Sequence, residues 1–241
     1  MSQIFQNVYP FTTENIAGYF PLMKVKDQDV LTVGSSADQA LNALLLGANR
    51  VVLYDINPNT YEYLNLKKDL ILNTTREEIY EKIINMDQIP KTEELFSWKD
   101  LQNMNPYLKD DDSYQYLQSI LQEKEIEFVL GDIFQMDQKI NNDKFDRIIF
   151  SNILQYLSIF SDFQKVTEEE LLKDSFKKWI SYLNEDGILQ LIYYYGINGN
   201  ISDYIKKCNS LKEYMLYLIS FPDFQNKGED GIVIYKKTRR D

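Results

Sequence analysis

The stretch from Asp29 to Asp55 reads DVLTVGSSADQALNALLLGANRVVLYD, and it is the part of the chain that decides the fold. A short, mostly apolar run ends at Gly34, and small polar residues then lead into an apolar helical pattern. A second apolar run, VVLY, ends in the carboxylate of Asp55. Strand, glycine turn, helix, strand and acid follow one another in this order in a nucleotide-binding βαβ unit.

Two residues of this unit have a clear chemical reason to be there. Gly34 allows the backbone to turn tightly where a ligand must come close. Asp55 follows the second strand, where its carboxylate can accept hydrogen bonds from a ribose diol. Gly34 also has a purely structural interpretation, as a simple tight turn, and the nearby Asp38 can be a helix cap rather than a ligand contact. Asp55 could bind the ribose of NAD as well as that of another nucleoside ligand.

Composition limits the classes of function. The chain has 241 residues, of which 44% are apolar, so it can form one large α/β domain or two small ones. Its formal net charge of −11 disfavours nucleic acid as a partner. It has no His and one Cys, Cys208, which excludes Ser-His-Asp and Cys-His catalysis and any intramolecular disulfide. A zinc site of the usual type is not expected, and we predict no metal.

The N-terminus has neither a basic start nor a long apolar core, so we expect no signal peptide. No apolar run approaches the roughly 20 residues of a membrane helix. These features favour a cytoplasmic protein.

The rest of the chain alternates between strand-like and helix-like segments, which predicts a doubly wound α/β sheet in a single domain spanning residues 1–241. Residues 74–125 are charged and amide-rich and predict a helical insertion, which either covers a substrate or only packs against the domain. The predicted strands cover 30–33, 51–54, 126–130, 145–150 and 187–194, followed by an antiparallel hairpin of 214–221 and 232–236. The predicted helices cover 15–22, 37–46, 58–72, 165–183 and 201–207.

Four consecutive predicted strands deliver polar residues to one edge of this sheet. Ligands of open α/β sheets bind beyond the carboxyl ends of the strands. The residues at these ends are Gly34, Ser35, Ser36, Asp55, Asp132, Ser151 and Asn152.

The chain resembles the class I S-adenosylmethionine (SAM)-dependent methyltransferases. The matching segments are VLTVGSSADQA, VVLYDINP, FVLGDIF, FDRIIFSNILQYL and YLNEDGILQLIYY, which span most of residues 29–195. The resemblance implies a Rossmann-like SAM-binding fold: a mostly parallel seven-stranded sheet with a C-terminal antiparallel hairpin. It also implies SAM as the cofactor.

The resemblance also assigns roles to the residues at the strand ends. It implies that Gly34, Ser35 and Ser36 approach the methionine part of SAM. It implies that Asp55 holds the ribose with Ile56 against the adenine. It implies that Asp132 approaches the adenine amino group with Ile133 beside it. Ser151, Asn152 and Tyr156 would then face the reacting centre.

The loop after the first strand departs from the family pattern, because only Gly34 remains of its two or three usual glycines. Residues 29–72 most resemble the SAM:diacylglycerol 3-amino-3-carboxypropyl transferases of betaine-lipid synthesis and their uncharacterised relatives. That likeness makes transfer of the aminocarboxypropyl group an alternative to methyl transfer. A nicotinamide-dependent oxidoreductase expects GxGxxG, whereas positions 34, 36 and 39 are Gly, Ser and Gln.

We therefore predict a SAM-dependent transferase, most simply a methyltransferase, with a small-molecule or lipid-like acceptor and no nucleic acid. A SAM-fold protein that binds without catalysis is a further alternative. A general base is needed only if the acceptor must lose a proton, and without His the candidates are Glu14, Asp38 and Tyr156. The sequence does not indicate the oligomeric state.

Overall fold

The computed structural model describes residues 6–87, 89–92, 96–140, 143–196 and 208–238. The strands are β1 (Asp29–Val33), β2 (Arg50–Asp55), β3 (Glu127–Leu130), β4 (Phe145–Ile149), β5 (Leu183–Tyr194), β6 (Leu216–Pro222) and β7 (Glu229–Lys236). The helices are α1 (Ile16–Met23), α2 (Asp38–Leu45), α3 (Asn59–Asn73), α4 (Arg76–Ile84), α5 (Trp98–Met104), α6 (Asp111–Glu123), α7 (Leu157–Gln164) and α8 (Glu168–Ser181). None of the helices in these described ranges is both long and apolar enough to pass through a bilayer.

The seven strands form one sheet in the order β3-β2-β1-β4-β5-β7-β6. The first five pair in parallel, whereas β7 runs antiparallel to both β5 and β6. The order reverses between β1 and β4, which opens a crevice at their carboxyl ends. The predicted fold class, a doubly wound and mostly parallel seven-stranded sheet with a C-terminal antiparallel hairpin, is confirmed.

Helices cover both faces of the sheet, because successive strand residues point to opposite sides. Val30 belongs to one core, with side chains from α1, α2, α3 and α6. Leu31 belongs to the other, which contains Phe160 of α7 and Trp179 of α8. Burial on both faces is why β1 and β2 are apolar runs without alternation.

Residues 74–125 contain α4, α5 and α6, as predicted, and these helices lie on one face of the sheet, next to α2 and α3. The Gln118 amide donates to the Ile71 carbonyl at the end of α3, at 2.7 Å. The Asn42 side chain of α2 donates to Asn105 Oδ1 at 3.0 Å and accepts from the Tyr107 amide at 3.1 Å. These bonds fasten the insertion to α2 and α3, on one face of the sheet.

Two predicted boundaries are wrong. The strand predicted at 187–194 begins earlier, at Leu183, and its first part contains an irregularity where the pairing with β4 shifts register and Asp186 has a φ of 61°. The single helix predicted at 165–183 is only α8, because Lys165 ends α7 in a left-handed conformation and Thr167 begins α8 with a capping box. The exposed Glu168–Glu170 run forms the first turn of α8. The predicted short helix at 201–207 lies outside the described residues.

Candidate functional site

A cleft lies at the carboxyl ends of β1, β2, β3 and β4. It contains about 930 Å³ of empty space, part of it open to solvent. The predicted residues that line it are Glu14, Ser35, Asp55, Ile56, Ile133, Ser151, Asn152 and Tyr156. None of the described residues between 76 and 123 lines this cleft.

Asp55 ends β2, and its carboxylate is held in one orientation by the backbone. Oδ2 accepts from the Ser35 amide and Oδ1 from the Asn57 amide, both at 2.8 Å. Burial raises the pKa of Asp55, while these two bonds act in the opposite direction. The Thr60 side chain and the Ile56 amide also act on this carboxylate and lower its pKa, and a carboxylate offers about four acceptor sites in all.

The loop after β1 makes its turn with little help from glycine. Ser35 has a φ of 43° and Ala37 a φ of 65°, so two non-glycine residues adopt left-handed conformations. Such conformations cost L-residues roughly 1 kcal/mol each. The turn after Gly34 is therefore formed by Ser35 and Ala37, neither of which is a glycine.

Gly34 is required for a different reason, because a Cβ there would lie 2.4 Å from Asp55 Oδ2 and 2.5 Å from Thr60 Cγ2. We expect Gly34→Ala to push the Asp55 carboxylate aside and to lower the free energy of unfolding by about 1–3 kcal/mol. Gly228→Ala is the control, since its Cβ would meet only Asp223 Oδ2 at 3.4 Å. Denaturant titration of both variants measures the difference. Equal stability of the two variants would contradict this role for Gly34.

Asp132 follows β3 but does not itself line the cleft. Its Oδ1 accepts from the Phe134 amide at 2.9 Å, which caps the short 3₁₀ helix that begins at Ile133. Its Oδ2 is buried and has no hydrogen-bond partner among the described residues. The adjacent Gly131 and Ile133 line the cleft. The contact between Asp132 and an adenine amino group remains a prediction.

Ser151 and Asn152 follow β4 and line the cleft at the reversal of strand order. Ser151 has a φ of 58°, and its amide donates to Gln190 Oε1 at 2.8 Å. The Asn152 side-chain Nδ2 donates to the Tyr195 hydroxyl at 3.2 Å, and the same hydroxyl forms a hydrogen bond with the Thr13 hydroxyl at 2.7 Å. The end of β5 thus connects the segment after β4 to the N-terminal segment.

Glu14 comes from that N-terminal segment and reaches the same end of the cleft. It is only 2% exposed, and its carboxylate accepts from the Ser151 hydroxyl, from Tyr19 at 3.0 Å and from Gln39 at 3.4 Å. Burial raises the pKa of Glu14 to about 7. Of the three candidate bases, Glu14 and Tyr156 line the cleft.

Asp38, the third candidate base, lies behind the loop and is completely buried. Its Oδ1 accepts hydrogen bonds from Lys67 Nζ at 2.5 Å and from the Tyr107 hydroxyl at 2.8 Å. Its Oδ2 accepts one from the Thr12 backbone amide at 2.6 Å. Ser36 is also buried and donates to Asp38 at 3.0 Å instead of lining the cleft. The contacts of Asp38 are those of a structural anchor.

Sequence reasoning missed the N-terminal segment as a wall of the cleft. Asn7, Tyr9, Thr12 and Thr13 line it. The segment is attached by long-range bonds, among them one from the Asn57 side-chain Nδ2 to the Asn7 carbonyl at 3.1 Å. No local pattern predicts such bonds. The one available signal was the concentration of capping residues at 12–15 before α1.

The sheet order and the position of the cleft define the class of fold: a Rossmann-like, mostly parallel seven-stranded sheet with a C-terminal antiparallel hairpin and its crevice at the β1–β4 reversal. No protein-family model matches this chain, and no curated protein matches its sequence.

Solved structures with a similar backbone include three that are described as methylases or methyltransferases. The N-methyltransferase NodS from Bradyrhizobium japonicum WM9, in complex with S-adenosylhomocysteine (SAH), has 10% identity and a TM-score of 0.48 over 91% of this chain and 85% of that one. A putative rRNA methylase from Clostridium thermocellum has 14% identity and a TM-score of 0.47 over 94% and 98%. An rRNA methylase from Streptococcus thermophilus has 10% identity and a TM-score of 0.45 over 90% of both chains.

One expectation is corrected by this comparison. We expected a small-molecule or lipid-like acceptor and no nucleic acid, on the ground of the negative net charge. Two of these structures are described as rRNA methylases. The expectation that excluded nucleic acid as an acceptor is therefore withdrawn. Net charge is a property of the whole surface and does not describe the field at one cleft.

Proposed function

We propose that this chain is a SAM-dependent methyltransferase that binds SAM in the cleft at the β1–β4 reversal. The observation that carries the proposal is the Asp55 carboxylate, which the Ser35 and Asn57 amides hold at the end of β2. A carboxylate fixed in this way is suited to accept hydrogen bonds from the two hydroxyls of a ribose.

The donors and apolar surfaces around the cleft are compatible with SAM. Ile56 and Ile133 offer apolar contacts on the Asp55 side of the cleft, as an adenine ring requires. Asp132 Oδ2, between the cleft-lining Gly131 and Ile133, is a buried polar atom without a partner among the described residues, and buried polar atoms are usually satisfied. An amino donor of the ligand would supply such a partner.

SAM brings its own activated leaving group, a sulfonium, so the protein has mainly to bind and orient. In this proposal Asp55 fixes the nucleoside, and the Ser151–Asn152 segment borders the place where an acceptor enters. Tyr195 holds Asn152 and Thr13 together at this border. The cleft would exclude water from the reacting atoms through the aromatic rings of Phe150, Tyr156 and Phe160.

A nicotinamide-dependent oxidoreductase is less well supported. The dinucleotide-binding sheet has the strand order 3-2-1-4-5-6, whereas here an antiparallel β7 lies between β5 and β6. The alternative of aminocarboxypropyl transfer rests on the resemblance of residues 29–72 alone.

Calorimetric titration with SAM, SAH and NAD tests the proposal. We expect SAM and SAH to bind with micromolar affinity and NAD not to bind. Absence of binding by both SAM and SAH would overturn the proposal. Product analysis then separates the two transfers: methyl transfer leaves SAH, and aminocarboxypropyl transfer leaves methylthioadenosine. Binding without either product would identify a SAM-fold protein that does not catalyse transfer.

A further inference from the structure

Glu14 is a buried carboxyl group in the cleft, and none of the described residues gives it a cationic partner. The charged and titratable groups that influence it are Tyr19, Tyr193, Tyr195 and Asp230, from α1, β5 and β7. All four are acidic or neutral. A carboxylate buried in this way is unfavourable unless a cation comes next to it, and the cleft is the route by which one can arrive.

Gln39, in the first turn of α2, adds a second, independent observation at the same place. It is 1% exposed and lines the cleft beside Glu14. Its Nε2 donates to Glu14, but its Oε1 is buried and accepts no hydrogen bond from the described residues. Glu14 and Gln39 therefore present a carboxylate and an amide oxygen that accepts no hydrogen bond from the described residues. Together these acceptors suit a ligand cation with several N–H donors.

The position of this pair relative to Asp55 indicates which cation fits. Asp55 ends β2 and Ser151, the partner of Glu14, follows β4, with β1 between the two strands. Two strand spacings separate them by about 10 Å. In SAM the ribose and the amino-acid ammonium lie at opposite ends of an extended chain through the sulfur.

We propose that Glu14 and Gln39 bind the α-ammonium group of the methionine part of SAM, with Glu14 as its counter-charge. This inference rests on the proposed function. Ammonium N–H groups donate to the Glu14 carboxylate and to Gln39 Oε1, while Ser151 keeps the carboxylate in place. Glu14 is a positioning residue in this arrangement, because it orients the sulfonium through the amino-acid chain.

Binding of SAH and of methylthioadenosine to the wild-type chain and to Glu14→Gln tests the proposal. Both ligands carry adenosine, but only SAH carries the ammonium. We expect Glu14→Gln to weaken SAH binding about tenfold to a hundredfold, the range for a hydrogen bond to a charged group, and to leave methylthioadenosine binding unchanged. Glu125→Gln, at an exposed site, is the matched control.

Proton release gives a second measurement that needs no variant. At about pH 6 the Glu14 carboxyl is mostly protonated in the free protein, because its pKa lies near 7. An adjacent ammonium favours the ionised form, so SAH should release about one proton per site. Methylthioadenosine should release none. Titration in two buffers of different ionisation enthalpy measures this release.

The outcomes separate this proposal from the proposed function. If the wild-type chain binds neither nucleoside, the proposed function fails first. If it binds both and Glu14→Gln weakens both equally, or weakens neither, Glu14 does not bind the ammonium. A variant that binds SAH normally but loses turnover would instead identify Glu14 as the base for the acceptor. Equal proton release with the two ligands would also overturn the assignment.

Discussion

Asp55→Ala is expected to lower the affinity of the chain for SAH by at least about 100-fold. The carboxylate would accept hydrogen bonds from two ribose hydroxyls, and a hydrogen bond to a charged group contributes about 1.5–3 kcal/mol, where 1.4 kcal/mol corresponds to a factor of ten. Since methylthioadenosine has the same ribose, its affinity should fall equally. This pattern differs from that of Glu14→Gln, for which only SAH binding should weaken.

The control for Asp55→Ala is Asp112→Ala, which removes the same charge from an exposed position of α6. Asp55→Ala also leaves the Ser35 and Asn57 amides without their acceptor, so its unfolding should be measured alongside binding. A folded Asp55→Ala protein with unchanged affinity for both ligands would refute the ribose-binding role.

Lys67→Met is expected to lower the free energy of unfolding by about 3–5 kcal/mol, because removal of one partner leaves an uncompensated buried charge. Lys67 and Asp38 are both completely buried, with Nζ and Oδ1 2.5 Å apart. Nζ also donates to the Pro10 carbonyl at 3.1 Å and to the Ser36 carbonyl at 3.0 Å. Burial lowers the pKa of Lys67, and the Asp38 carboxylate opposes that shift.

Lys173→Met provides a matched comparison within the same chain. Lys173 pairs with Glu169 at 2.8 Å one turn earlier in α8, with both side chains exposed. Exposed pairs of this spacing contribute only about 0.3–0.5 kcal/mol. Denaturant unfolding of both variants measures the contrast. A loss below about 1 kcal/mol for Lys67→Met would mean that the buried pair does not stabilise the fold.

The sequence was sufficient for features that depend on local patterns. The βαβ unit of Asp29–Asp55, the helices of the insertion and the terminal hairpin all follow from the spacing of apolar residues and from turn residues. The boundary between α7 and α8 was missed because the left-handed Lys165 has no side-chain signature, whereas a glycine at that position would have predicted it.

The site was predictable only where it lies at the ends of strands. Asp55 and Ser151 could be found because each follows an apolar run, and parallel strands bring their ends to one edge. The contact between Glu14 and Ser151 joins residues 137 positions apart, and no periodicity connects them. Asp38 was a plausible base from the sequence because nothing local shows that it is buried. Its pairing with Lys67 and Tyr107 arises only from tertiary packing.

The bonds around Asp38 have a consequence for the order in which the chain assembles. Three of them join the Thr12 amide, Lys67 and the Tyr107 hydroxyl to one carboxylate across 26, 29 and 69 positions, so none of these three closes a short loop. Contacts of large sequence separation form late in folding, because their loop-closure entropy must be overcome first. A chain emerging from the ribosome has its acidic group at position 38 long before the hydroxyl at position 107 exists. We therefore expect the loop after β1 to become rigid only after the insertion has docked. A nascent chain that does not yet extend to residue 107 is then expected to have strands but no binding site.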